Sequence, residues 1–84
     1  MNIVTIYTSP SCVYCNMAKS LLKSKNIDFT EIDVVANEKK REELVEKYKW
    51  RTVPMIMIGE KFIGGYDDLN KLNQAGQLEA EIGG

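Results

Sequence analysis

Ile3-Val4-Thr5-Ile6-Tyr7-Thr8-Ser9-Pro10-Ser11-Cys12-Val13-Tyr14-Cys15 is the stretch whose reading decides the fold. Its first five residues are β-branched or aromatic and read as a strand buried on both faces. Thr8-Ser9-Pro10-Ser11 is a cluster of turn formers. From Cys12 the apolar period changes. Tyr14, Met17, Ala18, Leu21 and Leu22 recur at i, i+3, i+4, i+7 and i+8, which predicts a helix with those residues on its buried side. Lys19 and Lys23 take its outer face. Lys23 and Lys25 sit near its C-terminus, where the dipole favours cations, and Asn26 is the stop.

Outward from this unit, residues 27–35 hold Ile27, Phe29, Ile32 and Val34 and read as a second strand. Asn37 caps a second helix running to about Tyr48, with Leu44, Val45 and Tyr48 inward and a solvated charged face from Glu38 to Lys47. Pro54-Met55-Ile56-Met57-Ile58 is a third strand, Gly59-Glu60 a tight turn and Lys61-Phe62-Ile63 a fourth strand. Gly64-Gly65 breaks the chain. Asp67 or Asp68 then caps a third helix carrying Leu69 and Leu72, Gly76 closes it, and residues 77–82 add a short turn before a fraying tail. The order β-α-β-α-β-β-α predicts an α/β fold: a four-stranded mixed sheet with three main helices on its two faces and a right-handed first crossover.

The chemistry lies in Cys12 and Cys15, the two cysteines of the chain. Cys12 falls at or just before a helix start, where unpaired N–H groups and the dipole favour an anion. A thiol so placed is acidified, and its thiolate is the reactive form. Cys15 lies one turn further in, on the side of Ala18 and Leu22, and is expected to be less exposed. That asymmetry makes Cys12 the nucleophile that forms a mixed disulfide, and Cys15 the thiol that resolves it. The chain has no histidine, so activation falls to the helix terminus, local N–H donors and nearby Lys or Arg. A disulfide between residues three apart constrains the unfolded chain little, so a stabilising staple is not its purpose. Zinc would need ligands that this chain lacks.

Composition bounds the partners. The 84 residues make one domain, 1–84, with a thin core. A net charge of −1 with dispersed Lys and Arg makes no electrostatic case for nucleic acid or an anionic membrane. No apolar run approaches the ~20 residues of a membrane span. Met1-Asn2-Ile3-Val4 reads as a strand start, not a signal peptide. A cytoplasmic protein is the expectation.

With these segments in place, the chain resembles the glutaredoxins, small members of the thioredoxin-like superfamily, over nearly its whole length. The resemblance is carried by Tyr7-Thr8, Cys12-Val13-Tyr14-Cys15, Glu31-Ile32-Asp33-Val34, Arg41-Glu42-Glu43, Thr52-Val53-Pro54 and Gly64-Gly65-Tyr66-Asp67-Asp68-Leu69. It implies a glutathione-disulfide oxidoreductase that reduces protein disulfides and protein–glutathione mixed disulfides. Glutathione is then the co-substrate, no cofactor is bound, a Cys12–Cys15 disulfide is redox-active and the protein is a monomer. It also implies a cis Pro54 beside the catalytic thiol, with Val53 offering its backbone N–H and C=O to the cysteine part of glutathione. Asp67 and Asp68, at a helix start, would take the γ-glutamyl end. Tyr14 would flank the groove, with Thr52, Gly65 and Tyr66 lining it. Arg41 and Arg51 are candidates for the glycine carboxylate.

Two departures stand out. Val13 occupies a position where the dithiol form commonly has Pro, which adds an N–H near Cys12, loosens the turn and shifts the reduction potential. Ser9 stands where many glutaredoxins carry Lys, which removes one cationic contact and implies weaker glutathione affinity. Two other readings accompany the resemblance. One is a glutaredoxin-like hydrogen donor to ribonucleotide reductase recycled by thioredoxin reductase, suggested by Cys-Val-x-Cys but set against the Gly-Gly-x-Asp-Asp segment. The other is a dimer holding a [2Fe–2S] cluster through Cys12 and glutathione.

Overall fold

The computed structural model describes residues 2–49 and 52–83. Its elements are β1 (Val4–Thr8), α1 (Val13–Ser24), β2 (Phe29–Asp33), α2 (Glu38–Tyr48), β3 (Met55–Ile58), β4 (Lys61–Gly64), α3 (Tyr66–Gln74) and α4 (Leu78–Gly83). The strands form one mixed sheet in the order β2-β1-β3-β4. β1 runs parallel to β2 and antiparallel to β3, and β3 pairs antiparallel with β4. The expected order holds, with a fourth helix added.

Alternation along the two central strands divides the core. Val4, Ile6, Ile56 and Ile58 face one side, where Ala18 and Leu22 of α1, Leu69 of α3 and Leu78 and Ile82 of α4 pack on them. Tyr7, Met55 and Met57 face the other, against Val34, which follows β2, and Leu44 of α2. Tyr48 stacks on Phe62 at 4.7 Å between ring centroids, closing that second layer. Each fully buried aliphatic side chain here contributes about 1.5–3 kcal/mol relative to exposure. Because both sheet faces are covered, β1 is pinned in register and its C-terminal end delivers the chain to the Cys12 turn at one fixed place. Among the described residues, no helix is long and apolar enough to cross a membrane.

Three expectations are corrected. First, α1 buries Cys15, Ala18 and Leu22, whereas Tyr14 and Met17 are 57% and 40% exposed. The apolar period is wider than the buried stripe because part of it faces solvent beside the cysteines. Lys19 in turn is half-buried, not on a free outer face. Second, Gly65, not an aspartate, is the N-cap of α3. Its N–H donates to Asp68 Oδ2 at 3.1 Å, so Asp68 reaches back from the first turn and caps from inside the helix. Third, the C-terminal segment is docked. Leu78 and Ile82 are buried, Asn2 N–H donates to the Ile82 carbonyl at 2.7 Å, and Lys61 pairs with Glu81 at 2.9 Å. One helical turn is too short to show a period, and its stability comes from packing.

Candidate active site

β1 ends at Thr8 and α1 begins at Val13, so the intervening turn aims Cys12 at the helix axis. Ser11 has φ +61°, a left-handed conformation that costs a non-glycine residue about 1–2 kcal/mol. It turns the chain so that Cys12 returns to extended backbone as the N-cap of α1. Cys12 Sγ then accepts from the Cys15 N–H at 3.1 Å. The sulfur thus takes the place of the Ser, Thr or Asp oxygen that ordinarily caps a helix, and it satisfies one of the orphan donors. No acidic residue lies in the first turn of α1 to oppose a negative charge there. The Val53 carbonyl oxygen lies 3.8 Å from Cys12 Sγ.

The pair is joined as a Cys12–Cys15 disulfide, with Cα atoms 5.2 Å apart. Cys12 is half-buried and Cys15 is 1% exposed. Only Cys12 presents its sulfur at the surface, so an incoming disulfide reaches Cys12 first.

Beside the cysteines opens a cleft lined by Tyr14, Thr52, Val53, Pro54, Gly65, Tyr66, Asp67 and Asp68. All eight are candidates from the sequence, brought together from α1, the segment before β3 and the start of α3. The Val53–Pro54 peptide bond is cis. The Tyr14 and Tyr66 rings stand 6.2 Å apart across the α1 and α3 N-termini. At the α3 start the first-turn N–H groups have no carbonyl partner within the helix, and Asp67, in the same turn, is exposed. Arg41 is exposed in the first turn of α2 and is not among the lining residues. Arg51 lies outside the described residues.

At the end of β1, Thr8 is the one buried polar or charged residue among the described residues, 2% exposed. Its hydroxyl donates to Glu31 Oε2 at 2.8 Å, and Lys19 Nζ contacts the same oxygen at 3.0 Å. One carboxylate on β2 thus ties the end of β1 to the middle of α1. The spacing of Thr8, Lys19 and Glu31 in sequence gives no local signal for this link. The Thr8 hydrogen bond, and after it Lys19, holds the Glu31 carboxyl below its ordinary value of 4.5. A lowered folded-state value means stabilisation that is present above 4.5 and lost as pH falls through the folded value. Glu31→Gln is expected to destabilise at neutral pH by a few tenths of a kcal/mol, roughly the worth of a solvent-screened pair. Urea unfolding from pH 7 to pH 3 checks this: the gap between wild type and variant should close on the acid side. A gap that is constant with pH would contradict it.

Fold and site together define the class: this is a thioredoxin-like thiol–disulfide oxidoreductase. Known proteins narrow the class to a family. The glutaredoxin family model matches residues 4–63. A glutaredoxin of Pseudomonas aeruginosa is 48% identical over 77 residues, covering 92% of each chain. Glutaredoxin 3 of Escherichia coli K12 is 45% identical over 76 residues, covering 90% of this chain and 92% of its own. Among solved structures, the buckwheat glutaredoxin–glutathione complex superposes with a TM-score of 0.90 at 25% identity, over 96% of this chain and 76% of its own. The chain belongs to the glutaredoxin family.

Proposed function

We propose that the protein is a glutathione-dependent oxidoreductase that reduces protein disulfides and protein–glutathione mixed disulfides. The observation that supports this most is the cleft itself: it opens beside Cys12, the more accessible of the two cysteines, and brings together a backbone edge, a helix N-terminus and a carboxylate. The Val53 backbone, beside Cys12, suits the cysteinyl part of glutathione. The α3 N-terminus suits the γ-glutamyl carboxylate, and Asp67 suits its ammonium. The resemblance to a relative solved with glutathione points the same way.

In this reading the Cys12 thiolate attacks one sulfur of a substrate disulfide R–S–S–R′. A Cys12–S–S–R bond forms, and R′S⁻ leaves and takes a proton from solvent. In the dithiol route Cys15 attacks Cys12 Sγ, RS⁻ leaves and the Cys12–Cys15 disulfide remains. One glutathione thiolate then opens it, forming a Cys12–glutathione bond and freeing Cys15. A second glutathione attacks that bond, yields glutathione disulfide and restores the dithiol. Two electrons pass from two glutathiones to the substrate. The helix N-terminus stabilises the Cys12 thiolate as attacker and again as leaving group. A cytoplasmic setting belongs to the same reading, because a reduced glutathione pool is needed to drive the cycle.

The test supplies glutathione with glutathione reductase in one assay and thioredoxin reductase alone in another, each with a glutathionylated peptide. Turnover is expected in the first. Turnover confined to the second would overturn glutathione dependence in favour of a thioredoxin-reductase-recycled hydrogen donor.

A further inference from the structure

A second concave surface borders the redox site and is not used by the reading above. It runs along α1, lined by the apolar Val13, Met17 and Leu21, the polar Asn16, Ser20 and Ser24, and Tyr66 of α3. None of the residues lining it is charged. Val13, at 68% exposed, Tyr14 and Met17 are three of the five large exposed hydrophobic residues among the described residues. All three lie within the first turn and a half of α1, next to Cys12. Lys19 and Lys23 lie outside the strip. Tyr66 lines both this surface and the glutathione cleft, so the two grooves adjoin there, and Val13 of the one and Tyr14 of the other set both beside the Cys12 turn.

We infer that this strip seats the polypeptide part of the substrate, a chain segment with uncharged, apolar residues flanking its reactive cysteine. The inference rests on Cys12 being the attacking thiol. A sulfur bonded to Cys12 brings its own Cα to within about 4–7 Å of the Cys12 Cα. The residues flanking a substrate cysteine must then lie on whatever surface adjoins Cys12. One adjoining surface is the cleft with Asp67, which glutathione fills; the other is the strip. From Val13 to Ser24 it extends about 16 Å at the helical rise, room for about five residues of extended chain. Aliphatic flanks would cover Val13 and Met17, which otherwise stay in water, whereas a charged flank would be desolvated there without a partner.

The experiment uses the reduced protein without added glutathione. It follows oxidation by symmetrical disulfides of two blocked peptides, one with leucine and valine around the cysteine and one with serine. Oxidised glutathione is the third oxidant. With the peptides, Cys12 attacks, one peptide thiolate leaves, and Cys15 displaces the second as the Cys12–Cys15 bond forms. The leucine–valine peptide is expected to react about tenfold faster than the serine peptide, the worth of one or two partly buried aliphatic groups. Exposed Met17→Ser combined with Ser20→Glu should reduce that ratio to below about twofold. No preference in the wild type, or an undiminished one in the double variant, would overturn the strip assignment. Inertness toward all three oxidants would overturn the Cys12 reading and this inference with it. Inertness toward oxidised glutathione alone would count against the glutathione reading and leave the strip standing.

Discussion

Cys12→Ser is expected to lose activity by more than about a thousandfold on every substrate, because no second group can take over the nucleophile's step. Cys15→Ser is expected to lose reduction of protein disulfides to a similar degree. It should nevertheless keep glutathione-dependent cleavage of protein–glutathione mixed disulfides to within about tenfold. The split follows from position. Cys12 Sγ sits at the α1 N-cap and is held by the Cys15 N–H at 3.1 Å, a contact made by the Cys15 backbone that Cys15→Ser leaves in place. Cys15 itself is buried among core residues and can reach only Cys12. Deglutathionylation needs one thiol and a second glutathione; dithiol reduction needs the internal resolving step. Steady-state assays on a glutathionylated protein and on a protein disulfide, run side by side, separate the two. An active Cys12→Ser with a dead Cys15→Ser would reverse the assignment. The pH dependence of Cys12 alkylation in the Cys15→Ser variant measures how strongly the N-cap favours the thiolate in the presence of Val13 and Ser9.

The nucleophile is legible in the sequence because the parts that place it are local. A strand, a turn cluster and a helical period place Cys12 at a helix start whatever the rest of the chain does. The eight cleft residues were reachable only through resemblance, since Val53, Tyr66 and Asp67 meet Cys12 through the sheet order and no spacing encodes that. The misreading of the α1 face has a physical cause. Tyr14 and Met17 carry the right period for a core, yet both are exposed, and only the resemblance sets Tyr14 beside the groove. Periodicity reports which residues share a helix face, not whether that face meets protein or solvent. The exposed apolar residues beside Cys12 are where local pattern and tertiary burial disagree, and such disagreement concentrates at working surfaces. The Thr8–Glu31–Lys19 link and the docking of α4 escaped for the opposite reason: each joins segments distant in sequence through single side chains or one helical turn.

Gly64→Ala is the substitution outside the cysteines with the largest expected effect. Gly64 ends β4 with φ +123°, backbone that side chains rarely adopt. A Cβ built there would overlap the Asp68 carboxylate, at both Oδ2 and Cγ. That carboxylate accepts from the Gly65 N–H and caps α3. The alanine therefore strains its own backbone, by about 1–3 kcal/mol, and drives the cap off its donor, worth about 0.5–2 kcal/mol. The expected loss of stability is about 2–4 kcal/mol in urea unfolding. The damage is also aimed at the cleft, because Gly65, Tyr66 and Asp67 follow directly and line it. The KM for glutathione should then rise together with the loss of stability, while alkylation of Cys12, held by α1, stays unchanged. A double-mutant cycle separates strain from collision. Asp68→Ala alone loses the cap, but it also removes the atoms that the new methyl group would strike. Gly64→Ala with Asp68→Ala should then cost less than the sum of the two single changes, by about 0.5–2 kcal/mol. Strict additivity would mean that the backbone conformation alone carries the cost. A Gly64→Ala protein within about 0.5 kcal/mol of wild type, the range of an ordinary surface change, would mean that the β4–α3 junction can relax in a way this geometry does not allow.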